Sequence, residues 1–223
     1  VKIGEESFPM EMADENGFFA VLLEDRLELV PYHFLVTYED GDSEEIVDPY
    51  SYQFYTAFTE EEVKKFGAGI YYDSYQKFGA HPTVEAGISG VHFAVWAPDA
   101  MRVSVVGDFN FWDGRRHQMK KRGPSGIYEI FIPGLKPGTI YKYEIKTKAG
   151  DPMLKADPYA NFSELRPNTA SVIWDMTDYQ WNDGEWIEKR KAAKDRLKDS
   201  PMSIYEVHLG SWMQKPVAQD ENG

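Results

Sequence analysis

Two segments of this chain repeat one another, and this feature restricts the possible fold most strongly. Residues 17–50 align without a gap with residues 126–159, at a constant offset of 109 (126 minus 17). Both copies keep apolar residues at alternating positions, which is the period of a strand with one buried face. Both have a glycine in the turn, Gly41 and Gly150, and both end in Asp-Pro-Tyr. The repeat therefore predicts two related β modules.

The second copy has further alternating stretches in front of it. Residues 91–96 and 103–107 alternate in the same way and predict additional strands. The corresponding positions of the first copy would fall before residue 1. We therefore expect the first module to be incomplete and the chain to begin part-way through its fold.

The residues between and after the two copies predict other elements. Thr59 and Glu62 have the spacing of a capping box, which predicts a short helix. A charged run over residues 182–199 predicts a second helix, interpreted as a solvated linker. Pro201 would end that helix, and the near-continuous apolar stretch from Met202 to Leu209 predicts a strand buried on both faces. Since a parallel sheet needs longer connections than remain, this strand is expected to belong to a domain absent from the chain.

Composition disfavours several classes of partner. The formal net charge is −13, whereas nucleic acid and anionic membranes require clustered Lys and Arg. We therefore expect neither partner. No apolar run is long enough to span a bilayer, and the chain contains no cysteine, which fits a reducing compartment such as the cytoplasm. The five histidines lack the spacing of zinc ligands, and we expect neither a metal nor a cofactor.

Six short motifs occur in order along nearly the whole chain. They are Asp48-Pro49-Tyr50, Phe78-Gly79-Ala80-His81-Pro82, Phe93-Ala94-Val95-Trp96-Ala97-Pro98, Val105-Val106-Gly107-Asp108-Phe109-Asn110, Phe111-Trp112-Asp113-Gly114-Arg115-Arg116-His117 and Tyr205-Glu206-Val207-His208-Leu209-Gly210-Ser211-Trp212. One such motif would be weak, but six in this order are specific. Together they resemble the glycogen branching enzymes, which belong to glycoside hydrolase family 13.

The resemblance implies a mainly β chain. It would contain two immunoglobulin-like β-sandwich modules, the first incomplete, together with a linker helix and the first strand of an absent (β/α)8 barrel. The implied boundaries are 1–54 for the first module, 55–87 for a helical and loop linker, 88–178 for a family 48 carbohydrate-binding module, 179–200 for the linker helix and 201–223 for the start of the barrel. The catalytic carboxylates of that barrel would lie outside this chain.

The acidic residues present do not predict catalysis by this chain. Retaining transfer of a glucan needs two carboxyl groups about 5 Å apart on a rigid scaffold. Asp48 and Asp157 lie in Asp-Pro turns, and residues 60–62 lie at a helix start. Each has a structural explanation, so we expect no catalytic residue here.

A glucan-binding site needs an exposed ring, because sugar rings stack on aromatic side chains. Trp112 is the best candidate, since it lies in a turn between strands, although it could instead cover the sandwich edge. Resemblance to the glycogen-binding module of AMP-activated protein kinase adds Lys142, and the loop with Asn168 and Thr169. It also places Leu154 where that module has a second stacking tryptophan, so a two-ring platform would be incomplete. Lys142 could equally be an exposed strand lysine.

Two functions remain as alternatives. The first is the amino-terminal part of an enzyme that cleaves an α-1,4-glucan chain and transfers it to form an α-1,6 branch in glycogen. This part would be non-catalytic, would bind glycogen, amylose or maltooligosaccharides, and would adjoin the barrel. The alternative is a stand-alone glycogen-targeting module. The strand predicted from Met202 to Leu209 argues against it, because a free binding module would have no use for that strand. The specific residues of the motifs at 79–82 and 205–212 disfavour a debranching or trehalose-forming relative.

Overall fold

The computed structural model describes residues 1–24, 28, 30–52, 55–148, 150–177, 179–193 and 199–213. The chain divides into two compact units, residues 1–178 and 179–223. Within the described residues, no helix is both long enough and apolar enough to cross a membrane.

The first module contains short antiparallel strands. The strands are β1 Lys2–Ile3, β2 Glu6–Ser7, β3 Glu11–Asp14, β4 Phe18–Ala20, β5 His33–Thr37 and β6 Ser43–Val47. Four of them form a sheet in the order β2-β1-β5-β6, while β3 and β4 form a separate hairpin. Gly41 lies in the turn between β5 and β6 with a φ of 92°, a conformation that favours glycine.

The second module is an antiparallel β-sandwich. Its strands are β7 Gly79–Glu85, β8 Ile88–Trp96, β9 Ala100–Val106, β10 Lys120–Lys121, β11 Ile127–Pro133, β12 Ile140–Thr147, β13 Met153–Lys155, β14 Phe162–Ser163 and β15 Ser171–Val172. One sheet has the order β10-β11-β8-β7, and the other has the order β13-β12-β15-β14 with β9 paired to β12. Alternate residues of both sheets point into one core, where Phe93 meets Tyr141 edge to face at 5.0 Å. The mainly β, immunoglobulin-like architecture expected from the sequence is confirmed.

The repeat extends to individual hydrogen bonds. Tyr32 donates its hydroxyl to Asp48 at 2.6 Å, and Tyr141, 109 residues later, donates to Asp157 at 2.7 Å. Each aspartate also accepts the backbone N–H two residues further on, at 2.9 Å and 2.8 Å. The two copies differ in burial, because the second pair lies in the sandwich core whereas the first is only partly covered.

The first strand of the repeat differs between the copies. Alternation at Phe19, Val21 and Leu23 predicts a strand across these positions, but β4 ends at Ala20, whereas β11 runs over seven residues. The longer strand is hydrogen-bonded on both sides, by β8 and β10. The shorter one pairs with β3. Neighbouring strands, rather than apolar alternation alone, therefore determine the strand length.

The segment assigned to a linker over residues 55–87 is in large part a component of the second module. Its last portion, β7, pairs with β8 over seven positions, which corrects that assignment. The helix expected from the capping box is confirmed as α1, Glu60–Gly67, with Thr59 and Glu62 bonded reciprocally. Apolar side chains on either side of α1 form a second core against the outer face of the sheet, with Phe58 and Phe78 both fully buried.

A buried carboxylate fixes this segment to the sheet. Glu129 on β11 accepts the backbone N–H of Ala57 at 2.9 Å, and the Arg122 guanidinium lies 3.3 Å from its other oxygen. Arg122 also donates to Glu60 at the start of α1 at 2.6 Å. Burial raises the pKa of Glu129. Residues 57–60 are thereby held on the module by hydrogen bonds as well as by apolar contact.

The second unit contains the expected linker helix as α2, Gly184–Ala192. Residues 194–198 of the charged run lie outside the described part of the chain. The strand predicted from Met202 to Leu209 is not formed: residues 201–208 have no regular secondary structure, and α3 covers Leu209–Trp212. A parallel strand is stabilised by hydrogen bonds to neighbouring strands, which apolar sequence alone cannot replace.

Candidate glucan-binding site

The loop over residues 107–119 is built on the outer face of the sheet that contains β9 and β12. It returns along the edge of β9, where Met119 donates its backbone N–H to the Val103 carbonyl at 2.8 Å. In its middle, the Gly114 carbonyl accepts the Ser104 hydroxyl at 2.6 Å. A Cβ at position 114 would lie 2.0 Å from the Glu144 carboxylate, so any larger residue here would have to displace that side chain.

Asn110 determines the shape of this loop. Its side chain is fully buried, accepts the Gly107 backbone N–H at 3.0 Å and donates to the Val105 carbonyl at 2.9 Å. The same amide group lies 3.0 Å from Nδ1 of His117. Burial lowers the pKa of His117, which favours the neutral ring able to accept this bond. The loop is therefore held rigidly from both of its ends.

The two residues after Asn110 present aromatic rings. Phe111 and Trp112 both have a φ of 58°, in the left-handed region. The Trp112 ring is partly buried, and its indole N–H donates to Asp108 at 2.7 Å. Phe111 is 81% exposed, and the Arg116 guanidinium lies 5.6 Å from its ring centroid. The ring of Trp112 is thus oriented by a residue of its own loop.

Lys142 and Thr169 lie beside the start of this loop. In the ladder Lys142 is opposite Val106, the last residue of β9 before the loop begins. Its ammonium group donates to the Thr169 hydroxyl at 2.8 Å, which joins the sheet to the loop over residues 164–170. Lys142 is therefore more than a free surface lysine, because its side chain is oriented by a defined partner.

Leu154 and Asn168 extend the same surface in different ways. Leu154 is half-exposed and lies opposite Glu144, which shares a face with Lys142 because side chains alternate along β12. The Asn168 amide donates to Glu164 at 3.2 Å, and the same carboxylate accepts the Ala170 backbone N–H at 3.0 Å. Leu154 therefore lies on the same face of the sheet as Lys142, whereas the Asn168 side chain is bonded within its own loop.

Some residues at this surface were not identified from the sequence. Glu144 forms an ion pair with Arg102 on the outer face, and both side chains are partly buried. The period of two places Glu144 on the face of Lys142, so alternation could have indicated it. Nothing in the sequence marked Phe111, because a phenylalanine beside an apolar motif is normally expected inside the fold.

Comparison with known proteins identifies the family of this chain. Residues 77–160 match the family described as Carbohydrate-binding module 48 (Isoamylase N-terminal domain), and residues 1–50 match the family of the alpha-1,4-glucan branching enzyme GlgB, N-terminal domain. A 1,4-alpha-glucan branching enzyme GlgB of Rubrobacter xylanophilus is 47% identical over 93% of this chain. The chain belongs to the GlgB branching-enzyme family. A second GlgB, from Synechococcus sp. (strain JA-3-3Ab), is 58% identical over 66% of the chain.

The similarity to GlgB covers only part of those relatives. The chain spans 28% of the Rubrobacter GlgB and 19% of the Synechococcus GlgB. Among solved structures, a pullulanase from Bacillus acidopullulyticus aligns with 71% of this chain and 17% of its own, with a TM-score of 0.39 and 16% identity. The module 48 match begins just before β7 and includes Trp112, Lys142 and Leu154, whereas Asn168 and Thr169 lie beyond it.

The buried acidic side chains of this GlgB region have structural partners. In the described part of the chain these are Glu129 and Asp157. Glu129 holds the segment before α1, and Asp157 accepts hydroxyl groups of Tyr141 and Tyr143 at 2.7 Å and 2.9 Å. Burial raises the pKa of both carboxyl groups. Their hydrogen bonds account for their positions without a catalytic role, and activity is not expected from this chain alone.

Proposed function

We propose that this chain is the amino-terminal, glucan-binding part of a 1,4-α-glucan branching enzyme. The longer enzyme would cleave an α-1,4-linked chain and rejoin it as an α-1,6 branch in glycogen, with that chemistry carried by a (β/α)8 domain beyond these residues. The observation that supports the binding role is that the loop with Trp112 begins beside Lys142, whose ammonium group is bonded to Thr169.

Trp112 would bind the face of a glucosyl ring. Aliphatic C–H faces of sugars stack on aromatic rings, and the bond from the indole N–H to Asp108 fixes the plane before the ligand arrives. Such preorganisation reduces the entropy lost on binding. Leu154 would add an apolar contact beside the stacked ring.

Lys142 and Thr169 would bind the hydroxyl groups at the sugar edge. An ammonium group has three donor hydrogens, and a hydroxyl group can both donate and accept. Their mutual hydrogen bond of 2.8 Å keeps the two groups together while leaving further donor capacity for a ligand. The net charge of −13 does not oppose this role, because a glucan is neutral.

Two assays test the two parts of the proposal. The complete branching enzyme should raise the α-1,6 content of amylose, whereas this chain should leave it unchanged. For binding, electrophoretic retention of the chain in gels containing glycogen should fall about tenfold with Trp112→Ala, while the melting temperature stays nearly constant. Lys142→Ala should weaken retention by a smaller factor. We also propose a cytoplasmic location, which the lack of cysteine permits.

Trp181→Ala is the matched control, because Trp181 is an exposed tryptophan that belongs to the other unit and is not among the residues proposed to bind glucan. Its retention should equal that of the parent chain. Retention unchanged by Trp112→Ala would remove Trp112 from the site. Branching by this chain alone would show that the chemistry has been placed in the wrong part of the enzyme.

A further inference from the structure

Phe111 is unusually exposed for an apolar side chain. At 81% it is the most exposed phenylalanine in the described part of the chain. It does not lie at a frayed end, because Asn110 on one side is fully buried and Trp112 on the other is bonded to Asp108. A phenyl ring held in water by a rigid loop is unfavourable for the free protein. Its position therefore needs an explanation beyond folding.

The backbone at this point is also strained. Phe111 and Trp112 both lie at a φ of 58°, where glycine or asparagine is accommodated more easily than a bulky aromatic residue. Two consecutive aromatic residues thus adopt a positive φ, which such residues normally avoid, within one tight loop. Strain of this kind persists where the surroundings fix the conformation, and it concentrates at binding sites. The buried amide of Asn110 provides that fixation here.

The surroundings of Phe111 resemble a sugar site more than a protein interface. The Arg116 guanidinium lies 5.6 Å from the ring centroid and steadies one face of the ring. Asp113 forms a bidentate ion pair with Arg115 two residues later, at 2.9 Å and 2.8 Å. The cores of protein interfaces are depleted in carboxylates such as that of Asp113. A carbohydrate, in contrast, takes one apolar face together with polar groups at its edges.

We propose that Phe111 is a second stacking ring of the glucan site and contacts the glucosyl unit next to the one on Trp112. This inference rests on the proposed glucan-binding function. Neighbouring Cα atoms are about 3.8 Å apart, so two rings on consecutive residues can reach consecutive parts of one ligand. The ligand class is an α-1,4-linked chain of several glucosyl units, and Phe111 sets a preference for such chains over glucose.

The most informative substitution is Phe111→Asn. Asparagine removes the ring but adopts a left-handed conformation more readily than phenylalanine. Isothermal titration of the 223-residue chain with maltoheptaose should therefore show about tenfold weaker binding, while the melting temperature stays equal or rises. Binding of glucose should change little, because a single glucosyl unit needs only the Trp112 ring. Phe111→Tyr keeps a ring and should retain maltoheptaose binding, and Phe18→Ala, an exposed phenylalanine of the first module, is the matched control.

The outcomes separate this inference from the proposed function. No binding of maltoheptaose by the parent chain would reject the proposed function and the inference together. Weaker binding by Trp112→Ala with parental binding by Phe111→Asn would reject the inference and keep the function. Equal losses in Phe111→Tyr and Phe111→Asn would also overturn it, because a retained ring should stack. Selective loss for long chains in Phe111→Asn supports it.

Discussion

Asp157→Ala and Asp48→Ala make the same substitution at equivalent positions of the internal repeat, in surroundings that differ in burial. Asp157 accepts the hydroxyl groups of Tyr141 and Tyr143, both completely buried, and the backbone N–H of Tyr159. Asp48 accepts the hydroxyl of Tyr32, which water can reach more easily. We expect the two substitutions to differ severalfold in their effect on the free energy of unfolding.

The expected magnitudes follow from the donors left without an acceptor. Each buried donor that loses its partner costs about 1–3 kcal/mol. Asp157→Ala removes the acceptor of the Tyr141 hydroxyl and of the partly buried Tyr159 N–H, and it leaves the Tyr143 hydroxyl only the Ala94 carbonyl at 3.4 Å. Burial raises the pKa of Asp157, so removing the carboxyl group also relieves an unfavourable desolvation. The net cost is therefore about 3 kcal/mol or somewhat more, against about 1 kcal/mol for Asp48→Ala.

Differential scanning calorimetry of the chain measures this difference. For a unit of this size, 1 kcal/mol corresponds to about 2–4 °C in melting temperature, so Asp157→Ala should lower it by about 6–12 °C. Asp48→Ala should lower it by about 2–4 °C. Equal decreases would refute the argument from burial.

A double substitution tests the mechanism directly. If stranded hydroxyl groups cause the loss, Tyr143→Phe should be less harmful in the Asp157→Ala background than in the parent chain. The coupling between the two changes should be about 1 kcal/mol. Strictly additive effects would show that the interaction between Asp157 and Tyr143 does not cause the loss.

Three further predictions concern the buried sheet and its covering segment. Burial, together with the charge of a neighbouring histidine, lowers the pKa of His92 from its ordinary 6.5 to about 4. The neutral ring therefore contributes stability that is fully present above pH 6.5. The free energy of unfolding, measured by urea denaturation at each pH, should fall by about 3 kcal/mol as the pH drops to 4. His92→Leu should remove that component, and an unchanged pH profile would argue against it. Gly90→Ala should destabilise severely, because the new Cβ would lie 2.5 Å from the Ile132 carbonyl, whereas Gly67→Ala in α1 meets no atom within 4 Å and should stabilise by up to about 1 kcal/mol. Thermal melts check both, and equal shifts would contradict the contact argument. Thr59→Ala should cost about 1 kcal/mol through loss of the capping box, and a melt identical to that of the parent chain would show that the cap is dispensable.

The repeat and the helix cap were the parts of the fold most readable from the sequence. The offset of 109 predicted equivalent strands, and the structure adds equivalent tyrosine–aspartate bonds at Asp48 and Asp157. Thr59 and Glu62 predicted a helix start because a cap is a local interaction among a few residues. Local chemistry of this kind depends little on the rest of the fold.

Tertiary surroundings explain the misassigned elements. Strand β7 lies within the residues assigned to a linker, yet it pairs with β8 as an edge strand, where Pro82 is tolerated. The stretch from Met202 to Leu209 has the composition of a buried strand but does not form one here. In both cases a strand forms only where adjacent strands supply hydrogen bonds, and the sequence alone does not show which strands are adjacent.

The candidate site could be predicted from the sequence only in part. Lys142 and Thr169 were selected by resemblance, and the structure brings them within hydrogen-bond distance. The exposure of Phe111 depends on two left-handed residues and on the buried Asn110, which no periodic pattern reveals. Binding by these residues stays a prediction.

The segment from Tyr52 to Phe78 has a practical consequence for protein engineering. Tyr52 lies against Phe131 at 5.3 Å, and Phe78 stacks on Tyr159 at 5.1 Å, so the described residues of this segment cover the outer face of the sandwich. If the module were transferred to another enzyme as a segment that starts at residue 88, its sheet would lack β7. The apolar outer face of that sheet would also be exposed to solvent. A transferable module should therefore begin before Tyr52. Fusion proteins with junctions upstream of that residue should fold more stably than those with junctions at residue 88.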